Sequence, residues 1–350
     1  MRSIIQQICD IVDDNLISKM EFYNSAGEYV PLLALIKISS ECNARCVMCK
    51  NWKTEKHDID MPILDRAIDD LSELKCEEIR LTGGEPTINE NFIDVVRKVA
   101  SKNISFSLIT NGGGNHANLK KSADIGLKKV YFSIDSHDSN IHDRLRGLPG
   151  LFKSAMGSIG ILKSYPTTKR IMNTVISRHN VLDIQKIAQL AVDEEFHGFN
   201  PIPIKGHTDS FLTADEIIKY NNEILPEVTD ILSTGNVIFY GGTGNVFGKS
   251  KTDIEESSNG IYTGSYYKMH KCVVSSYSAF ITNHGIVFPC SNTPYMGNEF
   301  ILGNLNYSSF QNIWNSGNAS NVRDMVNGRT TNCIGCDFTN LRANNYFGEN

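Results

Sequence analysis

The sequence predicts an α/β protein in which a parallel sheet, open or curled into a barrel, precedes a smaller cysteine-containing module. Strand-like apolar segments alternate with helical segments as far as residue 204, which is the pattern of a parallel sheet with helical crossovers. Beyond residue 269 the chain is poor in helical pattern and contains four cysteines. At 350 residues, the chain is long enough for more than one domain.

The first elements along the chain lead into the predicted sheet. Residues 3–20 have apolar side chains at helical spacing, so a helical extension is expected over residues 1–30. An apolar strand at 32–38 begins the barrel domain, which we place at 31–210. Its further strands are expected at 78–81, 104–109, 130–134, 171–176 and 198–204, and its helices at 62–74, 92–100, 152–163 and 182–193.

The second half of the chain is predicted to contain a connector and the cysteine-containing module. In the connector, 211–268, Thr213 and Glu216 have the capping-box spacing, which predicts a helix to about residue 232. The glycine-rich stretch at 241–248 is interpreted as a loop, because it lacks the lysine and the strand-to-helix context of a phosphate-binding loop. The module is placed at 269–340, with a hairpin turning at 283–285, and a tail at 341–350.

Composition and charge exclude several classes of function. The net charge of −5 argues against a nucleic-acid partner, which would require a basic face. No apolar run reaches the length of about 18 residues that a membrane span needs. Acidic residues interrupt the apolar N-terminal residues, so a signal peptide is not expected and the protein is predicted to be cytoplasmic. In that compartment, the nine cysteines are better interpreted as metal ligands or reactive thiols than as disulfide partners.

Three cysteines, Cys42, Cys46 and Cys49, follow the first strand in a C-x3-C-x2-C pattern. Three thiolates on one loop can hold three corners of a [4Fe–4S] cluster and leave the fourth iron open for chemistry. Structural zinc requires four ligands, and no nearby fourth ligand is evident.

Polar or glycine-rich residues follow the other predicted strands as well. They are Thr82-Gly83-Gly84-Glu85-Pro86, Thr110-Asn111-Gly112, Ser133 with Asp135, and Asn173. In a parallel β/α barrel, the C-terminal strand ends share one face, so these residues are expected to converge on the site of the three cysteines.

The cysteine pattern, together with GGEP after the second strand, resembles the radical SAM superfamily over residues 32–204. The resemblance implies a partial (β/α)6 TIM-like barrel, a [4Fe–4S] cluster on the three cysteines, and S-adenosylmethionine (SAM) on the open iron. It further implies that reductive cleavage of SAM gives a 5′-deoxyadenosyl radical, and that an external one-electron reductant such as flavodoxin or ferredoxin is needed.

By position, the resemblance assigns roles to residues outside the cysteine loop. Gly83, Gly84 and Glu85 would bind the methionine amino group through backbone and carboxylate, and Met48 occupies the place of an aromatic residue that packs on adenine. The ribose and carboxylate of SAM would meet Ser133, Asp135 and Asn173, and Arg146 would also bind the cofactor. Arg144 is the candidate catalytic residue.

A second group of cysteines comprises Cys272, Cys290, Cys333 and Cys336. A hairpin followed by a C-x2-C pair suits zinc about as well as an iron–sulfur cluster. The segment resembles the SPASM and shorter twitch modules of radical SAM enzymes, and the motifs at 303–305 and 313–315 and Arg323 also match. Four cysteines imply the twitch form, a small β-hairpin and helix module that binds one auxiliary [4Fe–4S] cluster.

An auxiliary cluster with all four irons ligated implies an electron acceptor and therefore a two-electron oxidation. The spacing of the four cysteines is similar to that of aminocyclitol dehydrogenases, so the expected activity is dehydrogenation of a secondary alcohol in a sugar or aminocyclitol. The alternative is crosslinking or epimerisation of a ribosomally made peptide. Epimerisation is disfavoured because it usually needs a thiol, and only Cys9 and Cys76 are unassigned. A non-catalytic iron–sulfur or zinc-binding protein is a remote alternative.

Overall fold

A ten-stranded sheet runs through the part of the chain that the computed structural model describes, residues 28–240, 247–262, 272 and 274–327. The expected N-terminal helix, most of the glycine-rich stretch, Cys333, Cys336 and the tail lie outside these residues. The strands are β1 Leu33–Ser39, β2 Glu78–Gly83, β3 Ser105–Thr110, β4 Lys129–Ser133, β5 Lys169–Ile176, β6 Gly198–Pro203, β7 Ile238–Phe239, β8 Ser278–Ile281, β9 Ile286–Phe288 and β10 Gly303–Asn304.

The strand order in the sheet is β10-β9-β8-β1-β2-β3-β4-β5-β6-β7. Neighbouring strands from β8 to β7 are parallel, whereas β9 and β10 are antiparallel additions at one edge. The parallel strands connected by helices form the partial TIM barrel that the sequence predicts. Two strands were not predicted in this arrangement: β7 adds to the outer side of β6, and β8 pairs directly with β1.

Helices connect the parallel strands and cover one face of the sheet. They are α1 Met61–Glu73, α2 Phe92–Ser101, α3 His116–Ile125, α4 Ser139–Arg146, α5 Leu151–Lys163, α6 Ile184–Asp193, α7 Ala214–Lys219, α8 Leu225–Thr234, α9 Lys251–Ser258, α10 Phe310–Trp314 and α11 Gly317–Asn327. The short helices α3 and α4 were not predicted. A π-helical turn at Tyr220–Ile224 joins α7 to α8, so the helix predicted from the capping box at Thr213 is confirmed with this interruption.

Side chains of β1 alternate between the two faces of the sheet. Ala34, Ile36 and Ile38 are buried in the core beneath the helices, while Leu35 and Lys37 are only partly buried on the opposite, inner face. This alternation has the period of two that a strand imposes. The inner face of the barrel therefore presents the residues at positions 33, 35 and 37 of β1 and those paired with them on neighbouring strands.

A buried ionic cluster occupies the inner face near the N-terminal ends of the strands. The Glu78 carboxylate lies 2.7 Å from the Arg80 guanidinium and 3.0 Å from the Lys129 ammonium group, and Arg80 stacks over the ring of Tyr131 at 4.4 Å. Burial disfavours the carboxylate of Glu78, but Arg80 and Lys129 outweigh it and hold its pKa below the usual range. This cluster fills the end of the barrel away from the cysteine loop.

The C-terminal module is built onto the barrel sheet. In the β8–β1 pair, Ser278 lies opposite Leu33 and Ile281 opposite Ile36, and the β8–β9 hairpin turns at Gly285, as the sequence predicts. The fully buried Trp314 donates a hydrogen bond of 2.9 Å from Nε1 to the Tyr29 carbonyl. No helix among the described residues has the length and apolarity needed to cross a membrane.

Candidate active site

The three cysteines Cys42, Cys46 and Cys49 lie on the loop that leaves the C-terminal end of β1. Backbone hydrogen bonds hold this cysteine loop against α4, because the N–H groups of Arg45 and Val47 donate to carbonyls at the end of that helix at 3.0 and 2.9 Å. The loop therefore has a fixed backbone before any ligand binds.

The sulfur atoms lie in a small apolar cluster that also contains Met48, Ala44, Leu148 and Leu151. Backbone N–H groups of Ala44 and Asn51 donate to Sγ of Cys42 and of Cys49, each at 3.4 Å. Burial raises the pKa of the Cys42 thiol to about 11 and that of Cys46 above its usual range. The free Cys42 and Cys46 thiols thus hold their protons more firmly than an exposed thiol does, and a metal has to displace those protons when it binds.

Three thiols on one loop suit an iron–sulfur cluster. Among the described residues, no three His, Cys, Asp or Glu side chains converge on one point as a metal ion would require. In a cluster, each thiolate binds a different iron, so the sulfur atoms are separated by the width of the cluster. Three thiols on one loop, with N–H donors to two of the sulfurs, fit that group.

The GGEP motif packs the end of β2 against the cysteine loop. The Gly84 N–H donates to the Ser39 carbonyl and the Glu85 N–H to the Glu41 carbonyl, both at 2.9 Å. A Cβ at residue 84 would lie 1.9 Å from the Glu41 oxygen, and one at residue 83 would lie 2.6 Å from the Ser39 oxygen. Glycine is needed at both positions because the two backbones approach so closely.

The carboxylate of Glu85 is fully buried and accepts hydrogen bonds from other residues of the chain. It accepts hydrogen bonds from the Thr87 hydroxyl at 2.7 Å, from the Thr110 hydroxyl at 2.8 Å and from the Asn111 N–H at 2.8 Å. Burial raises the pKa of Glu85, although these hydrogen bonds favour its charged form. The structure shows this carboxylate directed to the end of β3 and hydrogen-bonded by donors of the chain, and its contact with the methionine amino group stays a prediction.

Asn111 ties the end of β3 to the cysteine loop, a role that sequence reasoning did not identify. Its Nδ2 donates to Oδ1 of Asn43 at 2.8 Å, and Asn43 in turn donates to the Gly113 carbonyl at 2.7 Å. Nδ2 of Asn111 also lies 3.9 Å from Sγ of Cys42. The Thr-Asn-Gly motif after the strand was the available signal, but nothing in it named Asn43 as the partner.

Asp135 and Arg146 form a close ion pair of 2.7 Å behind the cysteine loop. The Nε–H of Arg146 is poorly aligned for a hydrogen bond to Oδ2 of Asp135. Oδ1 of Asp135 accepts a hydrogen bond from the Val175 backbone N–H at 2.9 Å. Burial opposes the charge of Arg146, but Asp135 and Cys46 outweigh it and raise its pKa. The ion pair with the fully buried Asp135 positions Arg146, which carries positive charge next to Cys46.

The remaining predicted residues of the barrel lie at two different places. Ser133 and Asn173 are paired in register on β4 and β5, and Nδ2 of Asn200 on β6 donates to Oδ1 of Asn173 at 2.9 Å. These three polar residues form a row across the inner face. Arg144, in contrast, is exposed on the last turn of α4. The structure thus brings Ser133 and Asn173 together and leaves Arg144 on the surface.

Of the second cysteine group, Cys272 is buried and Cys290 is partly buried, while Cys333 and Cys336 lie outside the described residues. The segment after Cys290 reaches back to the barrel, since Nζ of Lys205, just beyond β6, donates to Oδ1 of Asn292 at 2.5 Å. The unassigned Cys76 is buried at the start of β2, and burial raises its pKa, as expected for an unreactive thiol.

Comparison with known proteins agrees with this geometry. The family model described as the radical SAM superfamily matches residues 36–191, and that of the SPASM iron–sulfur cluster-binding domain matches residues 272–337. The AdoMet-dependent heme synthase of Methanosarcina barkeri is 27% identical over 296 residues, which cover 81% of this chain and 82% of the relative. The PqqA peptide cyclase of Ruegeria pomeroyi is 26% identical over 182 residues, 49% of this chain and 48% of the relative.

The fold is likewise similar to a solved structure. Streptococcus suis SuiB bound to S-adenosylmethionine superposes with a TM-score of 0.65 at 15% identity, over 89% of this chain and 72% of SuiB. The two matched domains bind SAM and [4Fe–4S] clusters. From the matched domains and the cysteine loop, we conclude that the chain is an enzyme of the radical SAM superfamily that carries a C-terminal SPASM domain.

Proposed function

We propose that this enzyme oxidises its substrate by two electrons, dehydrogenating a secondary alcohol of a sugar- or aminocyclitol-type small molecule. The pairing of β8 with β1 carries the proposal. β1 leads into the cysteine loop, and the β8–β9 hairpin leads into Cys290, so one continuous sheet joins the cysteine loop to Cys290. Two sites joined by one sheet can act on the same substrate.

Each cysteine group has its own role in this proposal. Cys42, Cys46 and Cys49 would hold the first cluster, and Cys272, Cys290, Cys333 and Cys336 the auxiliary cluster. When bound, the first cluster and SAM supply a carbon radical that takes hydrogen from the substrate, and the auxiliary cluster supplies an electron acceptor. Loss of a proton completes the oxidation of an alcohol to a ketone.

The inner face of the barrel supports a polar substrate. Ser133, Asn173 and Asn200 present hydroxyl and amide groups in one row, and these groups suit the hydroxyls of a polyol. The Lys205–Asn292 hydrogen bond joins the end of β6 to the segment after Cys290. A segment fixed against the C-terminal end of a barrel strand would help to exclude water from a radical reaction.

A second candidate is modification of a ribosomally made peptide. The similarity to PqqA peptide cyclase favours it, although the matched region covers only about half of each chain. The heme synthase similarity covers four-fifths of both chains, so a porphyrin also belongs among the substrates tested.

The decisive experiment follows deuterium from labelled compounds into 5′-deoxyadenosine, using enzyme reconstituted anaerobically. Labelled polyols, aminocyclitols, peptides and porphyrins are compared. We expect about eight irons per chain and deuterium transfer from the carbinol carbon of an alcohol. Deuterium arriving only from a peptide or a porphyrin would contradict the proposed substrate class.

Cysteine variants test the proposed division of roles. Cys42→Ala should abolish cleavage of SAM, whereas Cys290→Ala should retain cleavage and lose the ketone product. Cys76→Ala is the matched control, since that buried thiol belongs to neither cysteine group and its loss should leave the iron content unchanged. Ketone formation by Cys290→Ala at the wild-type rate would show that the electron leaves by another route.

A further inference from the structure

A basic and partly aromatic surface covers the outer side of the cysteine loop. We define the loop face as Arg45, Val47, Lys50, Trp52 and Lys53, all of which are exposed. Val47 is 49% exposed and Trp52 is 37% exposed, and large apolar side chains with such exposure are few among the described residues. Exposed apolar residues within a charged rim are characteristic of interaction surfaces.

The loop face is fixed relative to the cysteines. Nε1 of Trp52 donates a hydrogen bond of 3.1 Å to the backbone carbonyl of Cys46, and Nζ of Lys53 lies 5.1 Å from the centre of the Trp52 ring. Arg45 and Val47 flank Cys46 in the sequence, and Lys50 follows Cys49 directly. A protein bound to this face would therefore contact residues that are next in sequence to two of the expected cluster ligands, Cys46 and Cys49.

The local charge has the opposite sign to that of the whole chain. Residues 41–56 contain four basic and two acidic side chains, a net charge of +2, whereas the chain carries −5. One of the basic residues, Lys56, is paired with Glu41 at 2.6 Å, and Glu55 is exposed nearby. Arg144, exposed on the helix that holds the loop, adds to the positive charge. A positive patch on an acidic protein selects a negatively charged partner and accelerates its association.

We propose that the loop face is the docking site of an acidic one-electron carrier protein that reduces the first cluster. The proposal rests on the proposed function, since a radical SAM reaction begins with an electron from outside. A substrate is a poorer occupant, because it has to reach the inner face of the barrel, where Ser133 and Asn173 lie, and the loop face points to solvent. The aromatic ring of Trp52 gives the carrier an apolar anchor next to the Cys46 backbone.

The test measures reduction of the reconstituted holoenzyme directly, from the loss of cluster absorbance in a stopped-flow instrument. Reduced flavodoxin is the protein donor and dithionite is the small chemical donor. The charge-reversal variant combines Lys50→Glu and Lys53→Glu. The matched control combines Lys249→Glu and Lys251→Glu, which are also two exposed lysines close in sequence, just before α9 and at its first residue.

We expect the loop-face variant to be reduced by flavodoxin about tenfold or more slowly at low ionic strength, with a weaker dependence on salt. Reduction by dithionite should be unchanged, and the control should match the wild type with both donors. If charge reversal lowers the iron content, Lys50→Met with Lys53→Met replaces it, and the expected loss is smaller but in the same direction.

Wild-type rates with flavodoxin in the iron-replete variant would overturn the docking site. So would an equal slowing with dithionite. Because cluster reduction is read directly, the result does not depend on the substrate. Failure of the proposed oxidation would appear separately, as the absence of ketone with dithionite as donor.

Discussion

The substitution Gly84→Ala tests whether the GGEP motif acts by close packing against the cysteine loop. A Cβ at residue 84 would lie 1.9 Å from the Glu41 carbonyl oxygen and 2.8 Å from Cβ of Cys42. Contacts under 3.0 Å are essentially never seen, so the oxygen would have to withdraw from 1.9 Å to at least 3.0 Å, a shift of about 1.1 Å. A backbone carbonyl cannot turn away as the end of a flexible side chain can.

The cost of this shift can be bounded. Movement of the Glu41 carbonyl breaks its hydrogen bond of 2.9 Å with the Glu85 N–H and displaces the neighbouring Cys42. Overpacking of this kind typically costs about 1–3 kcal/mol. We therefore expect the free energy of unfolding to fall by about that amount, and the iron content to fall toward the four irons of the auxiliary site.

The assay pairs chemical denaturation with iron analysis, and α5 offers a control. Gly160 is exposed in that helix, and a Cβ there would meet nothing within 4 Å. Gly160→Ala should stabilise the protein by about 0.5–1 kcal/mol through lost backbone freedom, with unchanged iron. If Gly84→Ala is as stable and as iron-replete as the wild type, the packing argument for this motif is refuted.

Four further predictions concern stability. Asn111→Ala removes the amide that ties the cysteine loop to β3 and should cost about 1–3 kcal/mol in urea unfolding, with faster alkylation of the loop thiols in the metal-free protein. Glu78→Gln leaves the mostly buried Arg80 and Lys129 without a counter-charge and should cost about 3–5 kcal/mol, whereas the exposed Arg97→Ala should stay within about 0.5 kcal/mol. Because the pKa of Glu78 is lowered by folding, its contribution should be complete above the unfolded pKa of about 4.3 and disappear as the pH falls through the lower folded value, which stability measured against pH checks. Thr213→Ala removes the N-cap of α7 and should cost about 1 kcal/mol, measured by thermal unfolding.

Much of the barrel could be predicted because its signals are local. The strands that became β1 to β6 have long apolar patterns, and the capping box at Thr213 marked the start of α7. The hairpin turn at Gly285 was also readable from its sequence. The pairing of β8 with β1 was not, because β8 has only four residues and its partner lies more than two hundred residues earlier in the chain. Short strands contain too little pattern to identify a distant neighbour.

The site was predictable at the level of residue types and less so at the level of contacts. The cysteine loop and GGEP have spacings that few other sites require. The hydrogen bonds of Glu85 depend on the positions of Thr110 and Asn111 in the folded sheet. The sequence pattern at the strand ends does not give those positions. Similarly, the sequence offered Asp135 as a ligand-binding carboxylate but did not indicate its ion pair with Arg146. That pair depends on the position of α4 over the cysteine loop.

The contacts of GGEP change how a glutamate variant should be interpreted. The backbone of Gly84 and Glu85 binds the end of β1 and the start of the cysteine loop, and the Glu85 side chain binds the end of β3. The motif thus connects the ends of β1, β2 and β3 by hydrogen bonds. These contacts fix the cysteine loop before a ligand binds, which lowers the free-energy cost of ordering the site on binding. Loss of the Glu85 carboxylate therefore disturbs the position of the cysteines first, and weaker binding of SAM would follow from that displacement even without any direct contact to the carboxylate.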